Sequence, residues 1–205
     1  MVVAAETRRY SIEEYLALEE TSEVKHEYHR GEIVEMPGGT ANHNDILGAI
    51  YAALRFQRKG KGYRVFVSDM QLFLPELDRF LYPDVMAVRG EPIYRGDRKT
   101  AILNPSLIVE VLSKSTGAYD RGEKFQLYRT VPSFREYLLF DQTTHQVEQF
   151  VRQNDTDWTY RAIAGVDASV TLESLGVSLA LADIYEDVEF NEATPTAFED
   201  GESKP

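Results

Sequence analysis

Two acids in this chain stand where acids are ordinarily avoided. Asp84 follows a proline in Tyr82-Pro83-Asp84-Val85, and Glu110 interrupts an otherwise apolar run, Ile108-Val109-Glu110-Val111-Leu112. A lone carboxylate buried among valines and leucines costs several kcal/mol unless it is paired or holds a cation. Two carboxylates brought to one spot suit metal-assisted hydrolysis of a phosphodiester. In-line attack by water on that polyanionic centre needs a divalent cation to neutralise charge and a group that orients the nucleophile. A paired structural acid is the other reading of Glu110, and the residue alone does not separate the two.

The rest of the inventory narrows the metal. There is no cysteine, which excludes disulfides and thiolate zinc sites and leaves oxygen or histidine ligands. His26, His29, His43 and His145 are scattered, and the first two, three residues apart, would face opposite sides of a strand. Mg²⁺ or Mn²⁺ is the natural candidate.

These acids must be positioned by regular elements. Ser11 with Glu14 reads as a capping box opening a short helix that ends near Glu20. Residues 25–28 and 33–36 read as a hairpin around His29-Arg30-Gly31-Glu32. After Pro37-Gly38-Gly39, Ile46, Leu47, Ile50, Ala53 and Leu54 recur at helical spacing. Extended segments follow at 63–68, 70–74, 81–88 and 106–112, the last apolar enough to be covered on both faces, and together they are expected to form the central sheet. Asp120 with Glu123 marks a helix start, with Phe125, Leu127, Tyr128 and Val131 leading to Pro132. A further hairpin is expected at 136–141 and 146–152, then a strand at 158–163. The apolar positions of 172–188 suggest a closing turn and a short helix ending at Ile184-Tyr185.

With 205 residues, 43% of them hydrophobic and 27% charged, one domain is expected over residues 10–190. Residues 1–9 read as a flexible N-terminus and 191–205 as a disordered acidic tail. No apolar run approaches the roughly 20 residues needed to cross a bilayer, and no signal-peptide core is present, so a cytoplasmic protein is expected. The formal net charge of −12 argues against nucleic-acid binding over the whole surface. Any such binding must be local, and Arg55, Arg58, Lys59, Lys61 and Arg64 form the best patch, with no acid among residues 55–64. A solvated helix end favoured by the macrodipole accounts for the same residues.

Tyr82-Pro83-Asp84-Val85, then Leu107-Ile108-Val109-Glu110-Val111-Leu112-Ser113, then Asp120-Arg121-Gly122-Glu123-Lys124-Phe125 and Tyr128 carry a more specific resemblance. So do Lys25-His26-Glu27-Tyr28, Gly31-Glu32-Ile33, Met36, Gly39-Thr40 and His43 upstream. Over roughly residues 10–190 the chain resembles a family of restriction-endonuclease-like proteins, abundant in cyanobacteria, in the PD-(D/E)XK nuclease superfamily. The resemblance implies an α/β (α+β) fold with a restriction-endonuclease-like core, a central mixed sheet flanked by helices, and an added antiparallel hairpin. It implies hydrolysis of DNA, with Asp84, Glu110 and the main-chain carbonyl of Val111 holding Mg²⁺ or Mn²⁺.

One departure matters. The superfamily pattern places a lysine two residues after the glutamate, and that position is Leu112. The resemblance implies a migrated lysine, Lys124, which would orient or help deprotonate the attacking water. An exposed helix lysine paired with Asp120 is the plainer reading. Glu27 is implied as a helper acid, though a surface strand residue fits as well. His43 is implied as a helper acid or substrate contact, against a capping or packing histidine, and Gln71 as a contact from the preceding strand. A homodimer is plausible by analogy, since two strands of a duplex need two active sites.

Two other readings compete with an active nuclease. One is a non-catalytic nucleic-acid or protein-binding module that keeps the fold, which the absent in-place lysine and the negative charge would suit. The other uses Gly38-Gly39-Thr40 and His43-Asn44 as a histidine-metal nuclease, for which further His or Asn at the needed spacing is lacking. Pro37-Gly38-Gly39 also lacks the Lys-Ser or Lys-Thr pair of a phosphate loop.

Overall fold

The run that carries Glu110 is buried along its whole length and lies inside a six-stranded sheet. The computed structural model describes residues 8–190. The expected acidic tail and residues 1–7 of the expected flexible N-terminus lie outside the described residues.

The first helix, α1 (Ile12–Thr21), opens on the anticipated box: the Glu14 amide donates to Ser11 Oγ at 3.2 Å, and Ser11 N donates to Glu14 Oε2 at 2.8 Å. Strands β1 (His26–His29) and β2 (Glu32–Glu35) then pair across a two-residue turn. Arg30 and Gly31 both take positive φ there, 51° and 96°, as a tight hairpin of this hand requires. Thr40 caps α2 (Ala41–Gln57), its side chain accepting from His43 N. Ile46, Ile50 and Leu54 bury one stripe of α2, each worth roughly 1.5–3 kcal/mol.

Further along lie β3 (Tyr63–Val67), β4 (Gln71–Leu74), β5 (Arg79–Leu81), β6 (Val85–Arg89), β7 (Ala101–Ile102) and β8 (Leu107–Leu112). The expected strand over 81–88 is in fact two strands in two sheets. β5 joins the sheet ordered β2-β1-β5-β4-β7, and β6 pairs with β3 and β8 in the other. The break falls at Tyr82-Pro83-Asp84, where proline removes a ladder donor and the chain crosses between sheets. The segments expected to build one central sheet are therefore divided between two.

A broken helix follows β8: α3 (Gly117–Tyr119), a π turn (Asp120–Lys124) and α4 (Phe125–Tyr128). It begins three residues before Asp120, so Asp120 is an interior residue and not the cap. Next come β9 (Glu136–Asp141), β10 (Gln146–Arg152) and β11 (Trp158–Ala164), completing the large sheet in the order β11-β10-β9-β8-β6-β3. β8 and β9 run parallel and the other pairs antiparallel, making the sheet mixed. The expected short helix ending at Ile184-Tyr185 is present as α5 (Leu181–Ile184), and before it the chain forms a hairpin that was not expected, β12 (Ser169–Leu172) and β13 (Val177–Ala180). Val177 and Leu179 alternate with exposed neighbours, the period of a strand.

The two faces of β8 explain the layering. Leu107, Val109 and Val111 pack with α2, whereas Ile108 and Leu112 pack with Phe125 and Tyr128 from the broken helix. Glu110 shares parity with Ile108 and Leu112, so its side chain leaves the sheet on the broken-helix face. No helix among the described residues is long and apolar enough to cross a membrane.

Candidate active site

Register decides where the two acids meet. β6 and β8 are antiparallel with Val85 opposite Val109, so the next position outward sets Asp84 beside Glu110. The Asp84 amide donates to Glu110 Oε2 at 3.4 Å, and the Val111 amide donates to Asp84 Oδ2 at 2.7 Å. Val111 thus meets Asp84 through its N–H. Glu110 Oε1 accepts from Lys124 Nζ at 3.1 Å and from the Tyr128 hydroxyl at 2.6 Å. The lysine expected from the helix meets the glutamate from the strand, and it is buried, contrary to the exposed-lysine reading.

His43 enters from the other side of the sheet, at the start of α2. Its Nε2 lies 3.2 Å from Asp84 Oδ2, and its Nδ1 is buried without a hydrogen-bond partner. Gly39 makes this possible: a Cβ there would sit 3.1 Å from His43 Nδ1. His43, Asp84, Glu110, Asp120 and Lys124 line one cleft of about 200 Å³, and an adjoining hollow of about 310 Å³ shares His43 and Asp84.

Glu27 stands behind this cleft. Its Oε1 accepts from Tyr82 N at 3.5 Å, and its Oε2 lies 3.0 Å from His29 Nε2. Arg79 donates to His29 Nδ1 at 2.9 Å, and a guanidinium can only donate. Nδ1 is therefore the acceptor, and Nε2–H donates to Glu27. Glu27 is buried, which removes the surface-strand reading.

The charges are coupled. Burial raises Glu110 above its usual 4.5, to about 8, against the opposing pull of Lys124 and with help from Asp84 and Asp120. Burial would lower Lys124, but Glu110, Asp120, Glu27 and Asp84 outweigh it and hold the ammonium charged. The hydrogen bond to Asp84 raises His43 against the opposing effect of burial.

Sequence reasoning placed Asp120 at a helix start and as a partner of Lys124; the pair is present at 3.1 Å, and Asp120 points inward with 2% exposure. Tyr128, taken as an apolar helix position and part of a motif, donates to Glu110, and His29 and Arg79 orient Glu27. A spacing signal existed: Asp120, Lys124 and Tyr128 recur every four residues, one face of a helix, just after a strand holding a lone acid.

Other expected residues are not brought to the cleft. Gln71 is buried, with its amide committed to the hydroxyls of Tyr15 at 2.8 Å and Tyr82 at 3.0 Å. It faces a separate cavity of about 690 Å³ between α1 and the loop that carries Arg95 and Arg98. Arg55, Arg58, Lys59, Lys61 and Arg64 lie at the far end of α2. Arg55 is about 18 Å along the axis from His43 at 1.5 Å per residue. None of these five makes an ion pair among the described residues, although Lys61 Nζ donates to the Gly176 carbonyl.

The donor set fits a hard divalent cation. Asp84, Glu110 and Asp120 bring carboxylate oxygens to the cleft beside Lys124 and His43, the ligand type such a cation takes. Among the described residues no three His, Asp or Glu side chains form a ready cage. A cation at Asp84 and Glu110 would keep several waters, as Mg²⁺ characteristically does.

Comparison with known proteins gives the family and the fold. Residues 12–182 match the Uma2 family, described as "Putative restriction endonuclease". The chain belongs to that family. Two relatives from Synechocystis sp. (strain ATCC 27184 / PCC 6803 / Kazusa) extend the match. "Uncharacterized protein sll1609" is 38% identical over 170 residues, covering 83% of this chain and 96% of the relative. "Uncharacterized protein slr1290" is 36% identical over 184 residues, 89% and 94% of the two chains. Among solved structures, a "putative nuclease belonging to DUF820" from Anabaena variabilis ATCC 29413 superposes with a TM-score of 0.69 at 18% identity, over 86% of this chain and 98% of that one. This Uma2 chain therefore has the fold of that structure, a mixed α+β nuclease fold.

Proposed function

We propose that this Uma2 chain is a metal-dependent endonuclease that hydrolyses DNA phosphodiester bonds, with Asp84, Glu110 and Lys124 at its centre. One observation carries the reading: the buried Glu110 carboxylate joins the Asp84 backbone to the Lys124 ammonium on the wall of a cleft. Asp84, Glu110 and the Val111 carbonyl would hold Mg²⁺ or Mn²⁺. When bound, the cation would neutralise charge on the scissile phosphate and lower the cost of generating a water-derived nucleophile.

The side chains have separable tasks. Lys124, kept as an ammonium by surrounding carboxylates, orients the attacking water by a hydrogen bond, and the water's proton passes to a phosphate oxygen or to solvent. His43, held by Asp84, meets the phosphate from the opposite wall. Glu27 adds negative potential from behind Tyr82 and favours the charged Lys124. Arg55, Arg58, Lys59, Lys61 and Arg64 contact flanking phosphates at a distance from the cut. A second copy of the chain would serve the second strand of a duplex.

Leu112 favours one competing reading. It occupies the position where the superfamily keeps lysine and is buried in the core, as suits a binding module without turnover. Nicking of supercoiled plasmid separates the two. Asp84→Ala and Lys124→Ala should each lose about 10²-fold or more of the rate while plasmid binding persists. A Lys124→Ala protein indistinguishable from wild type would favour the binding module.

A further inference from the structure

Asp120 is a third acid at a place that already holds two. Its side chain is 3% exposed, and it lines the same cleft as Asp84 and Glu110. A buried carboxylate needs a compensating charge, and Lys124 Nζ lies 3.1 Å from Asp120 Oδ1. That contact is close enough for an ion pair but off the axis of a hydrogen bond, so Oδ1 has no hydrogen-bond donor. Lys124 directs one hydrogen bond to Glu110, also at 3.1 Å, and stands between the two acids.

The backbone at this point is unusual. Asp120–Lys124 is a π turn inserted between two α-helical pieces, and such turns concentrate at functional sites. In an unbroken α-helix, residues four apart drift by about 40° per step, since one turn takes 3.6 residues. The wider turn takes up that drift between Asp120 and Lys124, and the α-helical piece that follows carries Tyr128, so that Lys124 and Tyr128 both reach Glu110 Oε1. The Asp120 carbonyl accepts the buried Tyr137 hydroxyl at 3.0 Å, which secures the turn from the sheet.

We infer that Asp120 is a positioning residue for Lys124: the π turn presents the two side chains together, and the carboxylate fixes the ammonium against Glu110 at the cleft wall. The kinetic consequence rests on the nuclease reading above, while the placement of Lys124 does not.

The test uses the full chain as wild type, Asp120→Asn and Asp120→Glu. Two readouts are taken: plasmid nicking with Mn²⁺, and the ¹⁵Nζ resonance of Lys124. Asp120→Asn should lower kcat about 10²-fold, the usual consequence of a catalytic group misplaced by about 1 Å, with KM within twofold of wild type. The Lys124 ammonium resonance should broaden or vanish in Asp120→Asn and recover in Asp120→Glu. An unchanged resonance in a folded Asp120→Asn protein would overturn the inference, as would a lower melting temperature with kcat per folded molecule intact. If wild type does not nick, the nuclease reading fails, and the resonance alone decides the role of Asp120.

Discussion

Tyr128 donates its buried hydroxyl to Glu110 Oε1 at 2.6 Å, the same oxygen that accepts from Lys124. A helix residue thereby fixes the orientation of a strand carboxylate, and one face of the broken helix supplies two of its donors. Replacing the hydroxyl leaves a buried acceptor short of a partner. Tyr128→Phe should lower unfolding free energy by about 0.5–1.5 kcal/mol, the range for a hydrogen bond to a group that is largely uncharged near neutral pH and keeps a second donor. It should also reduce nicking more than plasmid binding. Chemical denaturation followed by Tyr and Trp fluorescence, beside the nicking assay, measures both.

Glu110 gives the fold a dependence on pH. Burial lifts its folded-state value from 4.5 to about 8, so the folded chain binds this proton more tightly than the unfolded chain does. Its contribution to stability is complete below about 4.5 and is lost as pH rises through about 8. Without added cation, the wild-type melting temperature should fall more steeply between pH 5 and 8 than that of Glu110→Gln, which carries no such proton. Parallel slopes in thermal scans of the two proteins would contradict the burial argument.

The cations beyond the end of α2 are unpaired among the described residues and distant from the cleft, so their contribution should be to binding alone. Arg58→Glu, Lys59→Glu and Lys61→Glu together should weaken binding of a DNA duplex and reduce its salt dependence by about 2 to 3 in log–log slope, one phosphate contact contributing about 0.9. The rate at saturating DNA should stay within twofold. Fluorescence anisotropy across a salt series measures the slope, and an unchanged slope would return these residues to a solvated helix end.

Much of the scaffold was legible because local chemistry announces it. Ser11 and Glu14 open α1 as their spacing dictates, Arg30-Gly31 turns the first hairpin, and the apolar stripe of α2 matches the face it buries. Asp84 and Glu110 stood out because a carboxylate among valines needs a reason. The crossing at Tyr82-Pro83-Asp84 was not legible, since two short extended pieces around a proline look like one strand until their partners are known. Asp120 was mistaken for a cap because acids are common at helix starts, and sequence spacing does not reveal a π turn. The C-terminal hairpin was hidden by leucines that fit a helical period as well as a strand one. There Gly176, at φ 68°, marks the turn.

The central claim is that Asp84 and Glu110 hold a divalent cation needed for strand cleavage. Calorimetric titration of Mn²⁺ into wild type and Glu110→Ala, with plasmid nicking on the same samples, tests it most directly. The account predicts that wild type binds Mn²⁺ and nicks plasmid, and that Glu110→Ala, still folded, does neither. Cation binding that persists in Glu110→Ala, or a wild type that binds no cation, would contradict it.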